Sequence, residues 1–266
     1  MLHMLGRIWT AYTVEIWKAI RRRQTYMGPA LLLALIVVAP FVQGITHDGR
    51  GDYGYIAYVT SVALGFLGVV LLLIYCACLV SQEMGGGSIR AVLVRPLRRH
   101  EYLAAKLMAG CTYALLLAVI VVFGSWGMAY ALGDLVGVNF GGELLFSSDE
   151  MLIAYLLGSV LALAPLFTAA AYGVMVSTFT RKPVLAMLIA VGAWVTVDIV
   201  KHPLGIDRFV FSSYLESPWQ VFINRCDGMD VGWFPMAWYC VGISAVYGVA
   251  FTALAMLVLR RRNFSA

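Results

Sequence analysis

The chain carries, at residues 81–106, the stretch SQEMGGGSIRAVLVRPLRRHEYLAAK. This stretch is basic and amphipathic, and a long run without any charged residue flanks it on each side. Its centre predicts a short helix that begins at an N-cap serine, Ser88, and ends before a proline. Ile89, Val92 and Leu93 would share one face, because positions i, i+3 and i+4 of a helix lie together. A short amphipathic helix between two membrane-crossing segments is expected at the membrane surface.

Composition and charge spacing indicate an integral membrane protein. Apolar residues make up 62% and charged residues 12% of the chain, whereas soluble domains carry about 25% charged residues. Six apolar segments reach the length of a membrane-crossing helix, about 17–25 residues. They are residues 29–45, 55–80, 102–132, 151–180, 183–200 and 234–259. The sequence therefore predicts an all-α fold with six transmembrane helices in one domain, residues 1–266.

The basic residues predict the orientation of the six spans. Fifteen of the 19 Lys and Arg residues lie before span one, between spans two and three, between spans four and five, or after span six. The other four are Arg50, Lys201, Arg208 and Arg225. Because cytoplasmic loops are enriched in Lys and Arg, both termini are predicted to be cytoplasmic. The net charge of +5 then reflects topology and does not indicate nucleic-acid binding.

Residues 1–27 predict an amphipathic helix ahead of span one. Apolar side chains recur there at helical spacing and include Trp9, Tyr12 and Ile16. Glu15 and Lys18 belong to the polar surface. Such a helix is expected to place its apolar face towards the acyl chains and its cations at the headgroups, either as an anchor alone or with a further role. Gly28 and Pro29 are expected to break the helix before span one.

Two residues inside predicted spans are candidates for a transport pathway or its gate. Pro165 lies in the middle of span four and predicts a kink, which is either static or a gating hinge. Asp198 is an ionisable group inside a span, which is costly unless it is paired or functional. Lys201 lies one helical turn away. The two residues are therefore expected to form an ion pair, with a substrate or proton role for Asp198 as the alternative.

The connection at residues 202–234 is too long and too apolar for a simple loop. Ser217 and Pro218 predict a helix start, with serine at the N-cap and proline at the first helical position. Trp219 and Phe222 would lie on the apolar face of this short helix. They are further candidates for the pathway.

The sequence contains no motif for nucleotide or metal chemistry. It lacks the G-x-x-x-x-G-K-[ST] phosphate loop, the G-x-G-x-x-G turn, and the H-E-x-x-H and G-x-S-x-G motifs. We therefore expect no catalytic residue, no metal site and no cofactor bound by this chain. ATP-driven work would require a partner subunit.

The 83–106 segment resembles the cytoplasmic connection between the second and third helices of ABC-2 type transporter permeases. In that family a Glu is followed by a Gly and a small hydroxyl residue, an apolar helix, a Pro, an Arg and a Lys that starts the next span. The matching positions are Glu83, Gly87, Ser88, Ile89, Val92, Leu93, Pro96, Arg99 and Lys106. The match departs at residues 84–86, where charged residues are usual in the family.

The resemblance implies that this chain is the permease of an exporter of the bacterial cytoplasmic (inner) membrane. The helix around Ile89 would be the coupling helix, which docks on a separate ATPase subunit, and residues 1–27 would form the elbow helix beside it. Two copies would enclose the pathway, and the ATPase would bind ATP and Mg²⁺. The substrate would be amphiphilic, such as a lipid, peptide or drug, and permeases of copper-enzyme maturation and gliding-motility systems are similar.

A different reading of the same features needs no ATPase. The basic segment is then a lipid-facing loop, and the chain is a membrane scaffold or a gradient-driven carrier. A carrier would be expected to bury an ion-coupling carboxylate near the middle of the membrane.

Overall fold

The computed structural model describes residues 2–42, 51–86, 98–132, 135, 137–140 and 143–261. Within these ranges the protein is mainly α-helical, and six helices are long and apolar enough to cross a membrane. The six spans are Arg23–Phe41, Tyr53–Gly85, Arg99–Leu132, Ser148–Phe179, Pro183–Lys201 and Met236–Arg261. The predicted all-α fold with six transmembrane helices is confirmed.

The elements follow one another along the chain with one short hairpin among the helices. The first span is preceded by α1 (Leu2–Arg21) and consists of α2 (Arg23–Val38) and a 3-10 turn, Ala39–Phe41. The second consists of α3 (Gly51–Val62), a π-helical stretch (Ala63–Gly68) and α4 (Val69–Gly85). Spans three to six are α5 (Arg99–Leu132), α6 (Ser148–Phe179), α7 (Pro183–Lys201) and α9 (Met236–Arg261). The connections hold β1 (Val138–Phe140), β2 (Glu143–Phe146), two 3-10 segments (Asp207–Phe209 and Phe211–Leu215) and α8 (Ser217–Cys226).

Basic residues from four parts of the chain lie together at one end of the bundle, which we call the basic end. Arg22 hydrogen-bonds to a side chain in the last turn of α4. Arg99 donates to the last carbonyl groups of α9. A Cβ added to Gly85 would lie 2.5 Å from the carbonyl oxygen of Arg181, so the end of α4 touches the α6–α7 connection. The helix ends that carry these cations are therefore neighbours in space.

The core of the bundle forms around α6, which packs against α4, α5 and α9. Small residues allow its closest approaches. A Cβ added to Gly173 of α6 would lie 2.6 Å from the Cβ of Cys76, and one added to Gly110 of α5 would lie 3.0 Å from Cys76 Sγ. Cys76 itself is fully buried. The point where α4, α5 and α6 meet therefore has no room for an additional carbon atom.

The outer helices α2, α7 and α9 expose apolar side chains along most of their lengths. Leu188 of α7 and Val249 of α9, for example, are both well exposed. An exposed surface of this composition suits lipid or a second copy of the chain.

The break between α1 and the first span lies earlier than the sequence predicts. Gly28 and Pro29 were expected to interrupt the helix, and the elbow was expected to extend to residue 27. That prediction was wrong, because α2 begins at Arg23 and runs through both residues. The break is at Arg22, whose backbone is extended, with φ −94° and ψ 122°.

A side chain from another helix explains why α2 tolerates its proline. Pro29 has no N–H group, so the carbonyl group four residues earlier, on Thr25, loses its helical donor. The Tyr113 hydroxyl of α5 donates to the Thr25 carbonyl oxygen at 3.3 Å. The polar group freed by the proline is therefore paired.

The same compensation occurs at the proline of α6. This helix is continuous from Ser148 to Phe179 with Pro165 inside it. The carbonyl group freed by Pro165 belongs to Leu161, and the thiol of Cys240 in α9 donates to it at 3.7 Å. The structure thus pairs the backbone at Pro165 with the neighbouring span, while a hinge at this residue stays a prediction.

The opposite end of the bundle carries a hairpin that the sequence analysis missed. β1 and β2 pair antiparallel, with Asn139 opposite Leu144. The two strands are separated in the sequence by Gly141-Gly142, a dipeptide typical of two-residue hairpin loops. The guanidinium carbon of Arg225 in α8 lies 4.6 Å from the centre of the Phe146 ring. This cation–π contact joins the hairpin to α8.

The predicted helix after residue 216 is present as α8, but its start differs from the prediction. Glu216 occupies the N-cap, and Ser217 is the first helical residue. Ser217 Oγ donates to the carbonyl oxygen of Ser213 at 2.8 Å and so makes no cap. Pro218 fits the first turn because an N–H group there would have no helical acceptor.

We predict that Tyr113→Phe lowers the free energy of unfolding by about 1 kcal/mol, the net contribution of one hydrogen bond. Phenylalanine keeps the ring stacked on Tyr75, so only the donor to Thr25 is lost. In a Pro29→Ala background, residue 29 supplies its own N–H group. Tyr113→Phe should then lower the free energy of unfolding clearly less. Thermal unfolding of the four purified proteins measures the difference. Equal costs in both backgrounds would contradict the compensation.

We predict that Gly173→Ala destabilises the protein by about 1–3 kcal/mol, because the added methyl group overpacks the contact with Cys76. Gly192→Ala is the matched control. Gly192 also lies inside a spanning helix, but an added Cβ there meets no atom within 4 Å. The control should be neutral or slightly stabilising, since alanine favours the helix. Indistinguishable melting temperatures for the two variants would show that the packing at Gly173 is looser than described.

Candidate functional site

A cluster of charged side chains lies at the basic end and involves α4 and α5, the helices that precede and follow residues 87–97 in the sequence. It consists of Glu15 and Lys18 from α1, Glu83 from α4, and Tyr102 and Lys106 from α5, and we call it the charge cluster. Helical spacing explains the arrangement: residues three or four positions apart share one face of a helix. Each helix therefore directs one polar face at the same point.

Both ammonium groups of the charge cluster bridge both carboxylates. Lys106 Nζ lies 2.8 Å from Glu83 Oε1 and 2.6 Å from Glu15 Oε2. Lys18 Nζ lies 2.8 Å from Glu83 Oε1 and 2.8 Å from Glu15 Oε1. The Tyr102 hydroxyl donates to the other oxygen of Glu83, Oε2, at 2.6 Å. Four of these five short polar contacts join the three helices to one another, and the fifth, Lys18 to Glu15, lies within α1.

The charge cluster is electrically neutral and largely buried. Lys106 is 1% exposed and Glu83 is 4% exposed. A buried charge without a partner costs several kcal/mol, whereas two positive and two negative groups in contact offset most of that cost. Because each charged group of the charge cluster contacts partners of opposite sign, the arrangement is suited to holding helices together.

Lys18 is the most exposed of the four charged groups and lies in α1, outside the spans. Burial alone would lower the pKa of Lys18, but hydrogen bonds and charges from Glu15 and Glu83 outweigh burial and raise the pKa above its ordinary 10.5. A cation whose pKa rises on folding stabilises the fold fully below its unfolded pKa. The contribution of Lys18 is therefore complete below about pH 10.5 and is lost as the pH rises through the raised value.

Further contacts hold the helix ends on each side of residues 87–97. Glu101 in the first turn of α5 accepts a hydrogen bond from the Arg98 backbone N–H at 2.8 Å. The Arg99 side chain donates to the carbonyl oxygens of Leu259 and Arg260, each at 2.7 Å. A cation at the last carbonyl groups of a helix complements its dipole. The start of α5 is therefore tied to the end of α9.

The structure brings together some of the residues that match the ABC-2 motif. Glu83 and Lys106, 23 positions apart, form an ion pair. Arg99 contacts α9 and lies outside this pair. The remaining motif residues lie outside the described part of the chain: Gly87, Ser88, Ile89, Val92, Leu93 and Pro96.

The predicted elbow helix packs against α5. The Tyr12 hydroxyl and Thr112 Oγ1 are 2.8 Å apart. Ile16 is partly buried, whereas Trp9 is 60% exposed. Glu15, which the sequence places on the polar surface of α1, is 10% exposed and lies in the charge cluster.

The candidates for the pathway lie apart from the charge cluster. Trp219 and Phe222 are fully buried and pack against the Tyr155 ring of α6, with ring centres 6.0 and 5.5 Å apart. Asp198 forms the predicted ion pair with Lys201, Oδ1 to Nζ, at 2.6 Å. Asp198 therefore has a partner at the end of its own helix.

Sequence reasoning missed Glu15, Lys18 and Tyr102 as partners of the motif. The available signal was the i, i+3 pair of opposite charges in α1 and the i, i+4 spacing of Tyr102 and Lys106 in α5. That spacing identifies a shared face. It does not identify which helix the face meets.

We predict that Lys106→Met lowers the free energy of unfolding by about 3–5 kcal/mol, because it leaves buried carboxylates short of a partner. Adding Glu83→Gln should recover part of this loss, so the double variant should be more stable than the sum of the single effects indicates. Lys182→Met is the control, since Lys182 is an exposed lysine at the same end of the bundle. Thermal unfolding compares the parent protein with Lys106→Met, Glu83→Gln, the double variant and Lys182→Met. Strict additivity of Lys106→Met and Glu83→Gln would contradict the coupling.

Comparisons with known proteins place the chain in a family without assigning an activity. No curated protein matches the sequence. The family model described as "Protein of unknown function (DUF2705)" matches residues 23–265. The match covers all six spans, together with Glu83, Tyr102 and Lys106 of the charge cluster, while α1 precedes it. The chain therefore belongs to the DUF2705 family of membrane proteins.

Proposed function

We propose that this protein is the membrane-spanning permease subunit of an ATP-driven exporter of the ABC-2 type. Two copies would form the pathway for an amphiphilic substrate such as a lipid, a peptide or a drug. Separate nucleotide-binding subunits would bind ATP and Mg²⁺ and dock on the basic end. The chain itself would bind no nucleotide and catalyse no reaction.

The observation that carries this proposal is that the charge cluster joins α4 and α5, the two helices that residues 87–97 connect in the sequence. The segment proposed to contact the ATPase begins just after α4 and ends just before α5. Glu83 and Lys106 join those two helices, and Glu15 and Lys18 add α1 to them. A push on the segment would therefore move α1, α4 and α5 together, which supports its use as the point where force enters the membrane.

Packing inside the bundle offers a route for that movement. α4 and α5 pack tightly on α6 at Cys76, Gly110 and Gly173. Close-packed interiors transmit displacement because they contain little free volume. α6 in turn carries Pro165 and contacts α9 through Cys240. These contacts support a path from the basic end towards the pathway candidates Pro165 and Trp219.

The distribution of charge supports a cytoplasmic position for the basic end. Lys and Arg favour the cytoplasmic side of a membrane, and Arg22, Arg99 and Arg181 all lie at this end. An ATPase that docks there would meet a positively charged surface on the side where ATP is present. The exposed apolar faces of α2, α7 and α9 leave room for lipid and for the second copy.

A gradient-driven carrier fits the described residues less well. Such a carrier needs a buried carboxylate that can bind and release an ion. The two fully buried carboxylates among the described residues are Glu83 and Glu101, and both accept short hydrogen bonds from neighbouring groups. We therefore favour the ATPase-driven mechanism over the carrier and the scaffold.

We predict that the chain, purified from its native membrane in a mild detergent, retains a subunit with a phosphate-binding loop, and that the complex hydrolyses ATP. Replacing Val92 and Leu93 by Asp should abolish this association, because two charges would face the apolar contact. Mass spectrometry identifies the partner, and phosphate release measures its activity.

The control for this experiment replaces Met229 and Val231 by Asp. Both are exposed apolar residues at the opposite end of the bundle, so the association should survive. The proposal fails if no nucleotide-binding subunit is retained and the Val92→Asp, Leu93→Asp variant keeps the transport activity of the parent protein.

A further inference from the structure

A cavity of about 730 Å³ opens at the opposite end of the bundle, between the segment after α7 and the start of α9. Its volume falls within the range of about 300–1,000 Å³ that is typical of ligand pockets. The cavity lies at the start of α9, whereas Arg260 at the basic end lies at the end of the same helix. Its lining combines a short polar region with a longer apolar wall.

The polar region of the cavity is formed by Asp207 and Arg208, which are consecutive residues of a 3-10 turn. Among the described residues neither side chain has an ion-pair or hydrogen-bond partner. Ser213 also lines the cavity, and its Oγ is buried without a hydrogen-bond partner in the described part of the chain. A buried hydroxyl without a partner is costly. The polar region therefore offers an anion and a cation that a ligand can pair.

The apolar wall of the cavity runs along α9. Met236, Tyr239 and Ile243 line it at positions i, i+3 and i+7, so they share one face of the helix. Seven residues of helix rise about 10 Å. Because α9 crosses the membrane from Met236 onwards, the wall descends from the membrane surface into the region of the acyl chains. Phe209, 71% exposed, stands beside the polar region.

We propose that this cavity binds a zwitterionic phospholipid whose headgroup carries a primary ammonium, namely phosphatidylethanolamine. Asp207 would accept hydrogen bonds from the ammonium, Arg208 would pair with the phosphate, and an acyl chain would lie along Met236, Tyr239 and Ile243. Phosphatidylcholine has no N–H group to donate to Asp207. Phosphatidylglycerol has no cation to pair with it. This binding requires only that α9 lies in a membrane, so it is independent of any ATPase.

The proposal is tested by measuring the lipid affinity of the purified chain. Dioleoyl phosphatidylethanolamine, phosphatidylcholine and phosphatidylglycerol are each titrated in detergent. Native mass spectrometry counts the bound lipid. We expect the protein to prefer phosphatidylethanolamine about tenfold or more, since one charged hydrogen bond accounts for a factor of that size. Arg208→Ala should weaken binding of this lipid by a similar factor. Asp207→Asn should remove the preference over phosphatidylcholine.

The apolar wall is tested on the same helix. Ile243→Trp should fill the cavity and weaken lipid binding, whereas Val246→Trp should not, because Val246 is 69% exposed and does not line the cavity. Asp230→Asn, an exposed carboxylate at the same end, is the control for Asp207→Asn. Gel filtration and thermal unfolding confirm that each variant is folded. Asp207→Asn changes one side chain in a surface turn, so it still tests the proposal if a bulky variant fails to fold.

Three results would overturn the proposal. The first is equal binding of all three lipids, which means association with the detergent belt only. The second is an unchanged lipid affinity in Arg208→Ala and Ile243→Trp. The third is binding of glycerophosphoethanolamine, the headgroup without chains, as tightly as the lipid. No ATPase or nucleotide is present, so failure of the exporter mechanism would leave these results unaffected.

Discussion

The buried ammonium group of Lys106 must be paired, and this requirement determines how three helices meet. Its partners come from α1 and α4, while Lys106 belongs to α5. The cost of leaving any of these charges unpaired in the interior is larger than a typical packing defect. The relative positions of α1, α4 and α5 therefore follow from electrostatics at the basic end, and their packing on α6 follows from small residues further along the helices.

The two ends of the bundle differ in how they are held together. At the basic end, salt bridges and an arginine bound to helix carbonyls join elements that are distant in sequence. At the opposite end, aromatic and apolar contacts dominate: α8 packs through Trp219 and Phe222, and the hairpin contacts it through Phe146 and Arg225. Polar contacts depend on geometry more strongly than apolar ones. The basic end is thus held in a more sharply defined geometry than the opposite end.

Much of the fold could be predicted because charged residues are excluded from spans, so Arg99, Arg181 and Arg260 mark helix ends in the sequence. The position of the helix break before span one could not be predicted. The backbone carbonyl that Pro29 leaves without a helical donor is paired by Tyr113, which lies 84 positions away in the sequence from Pro29. The strands β1 and β2 are only three and four residues long. Strands this short contain too few residues for a recognisable alternation of apolar and polar residues, so the hairpin was not predicted.

The candidate site could be predicted in part. Glu83 and Lys106 stood out as members of a motif, but their mutual contact depends on how α4 and α5 pack. Glu15 was assigned only to the polar surface of α1, because an amphipathic pattern is the same whether its polar face meets water or a buried partner. Asp207 and Arg208 appeared as ordinary loop charges, since their common cavity with Ile243 exists only after residues 207–243 have folded.

The pairing of Glu15 with Lys106 also constrains how the protein is made. The two residues are 91 positions apart, and ribosomes add about 5–20 residues per second. Roughly 5–20 seconds therefore separate the synthesis of the carboxylate from that of its ammonium partner. During that interval α1 has no internal counter-ion for Glu15 from the third span, so it must wait at the watery boundary of the bilayer. The helix α1 can thus reach its final place only after α5 has been made.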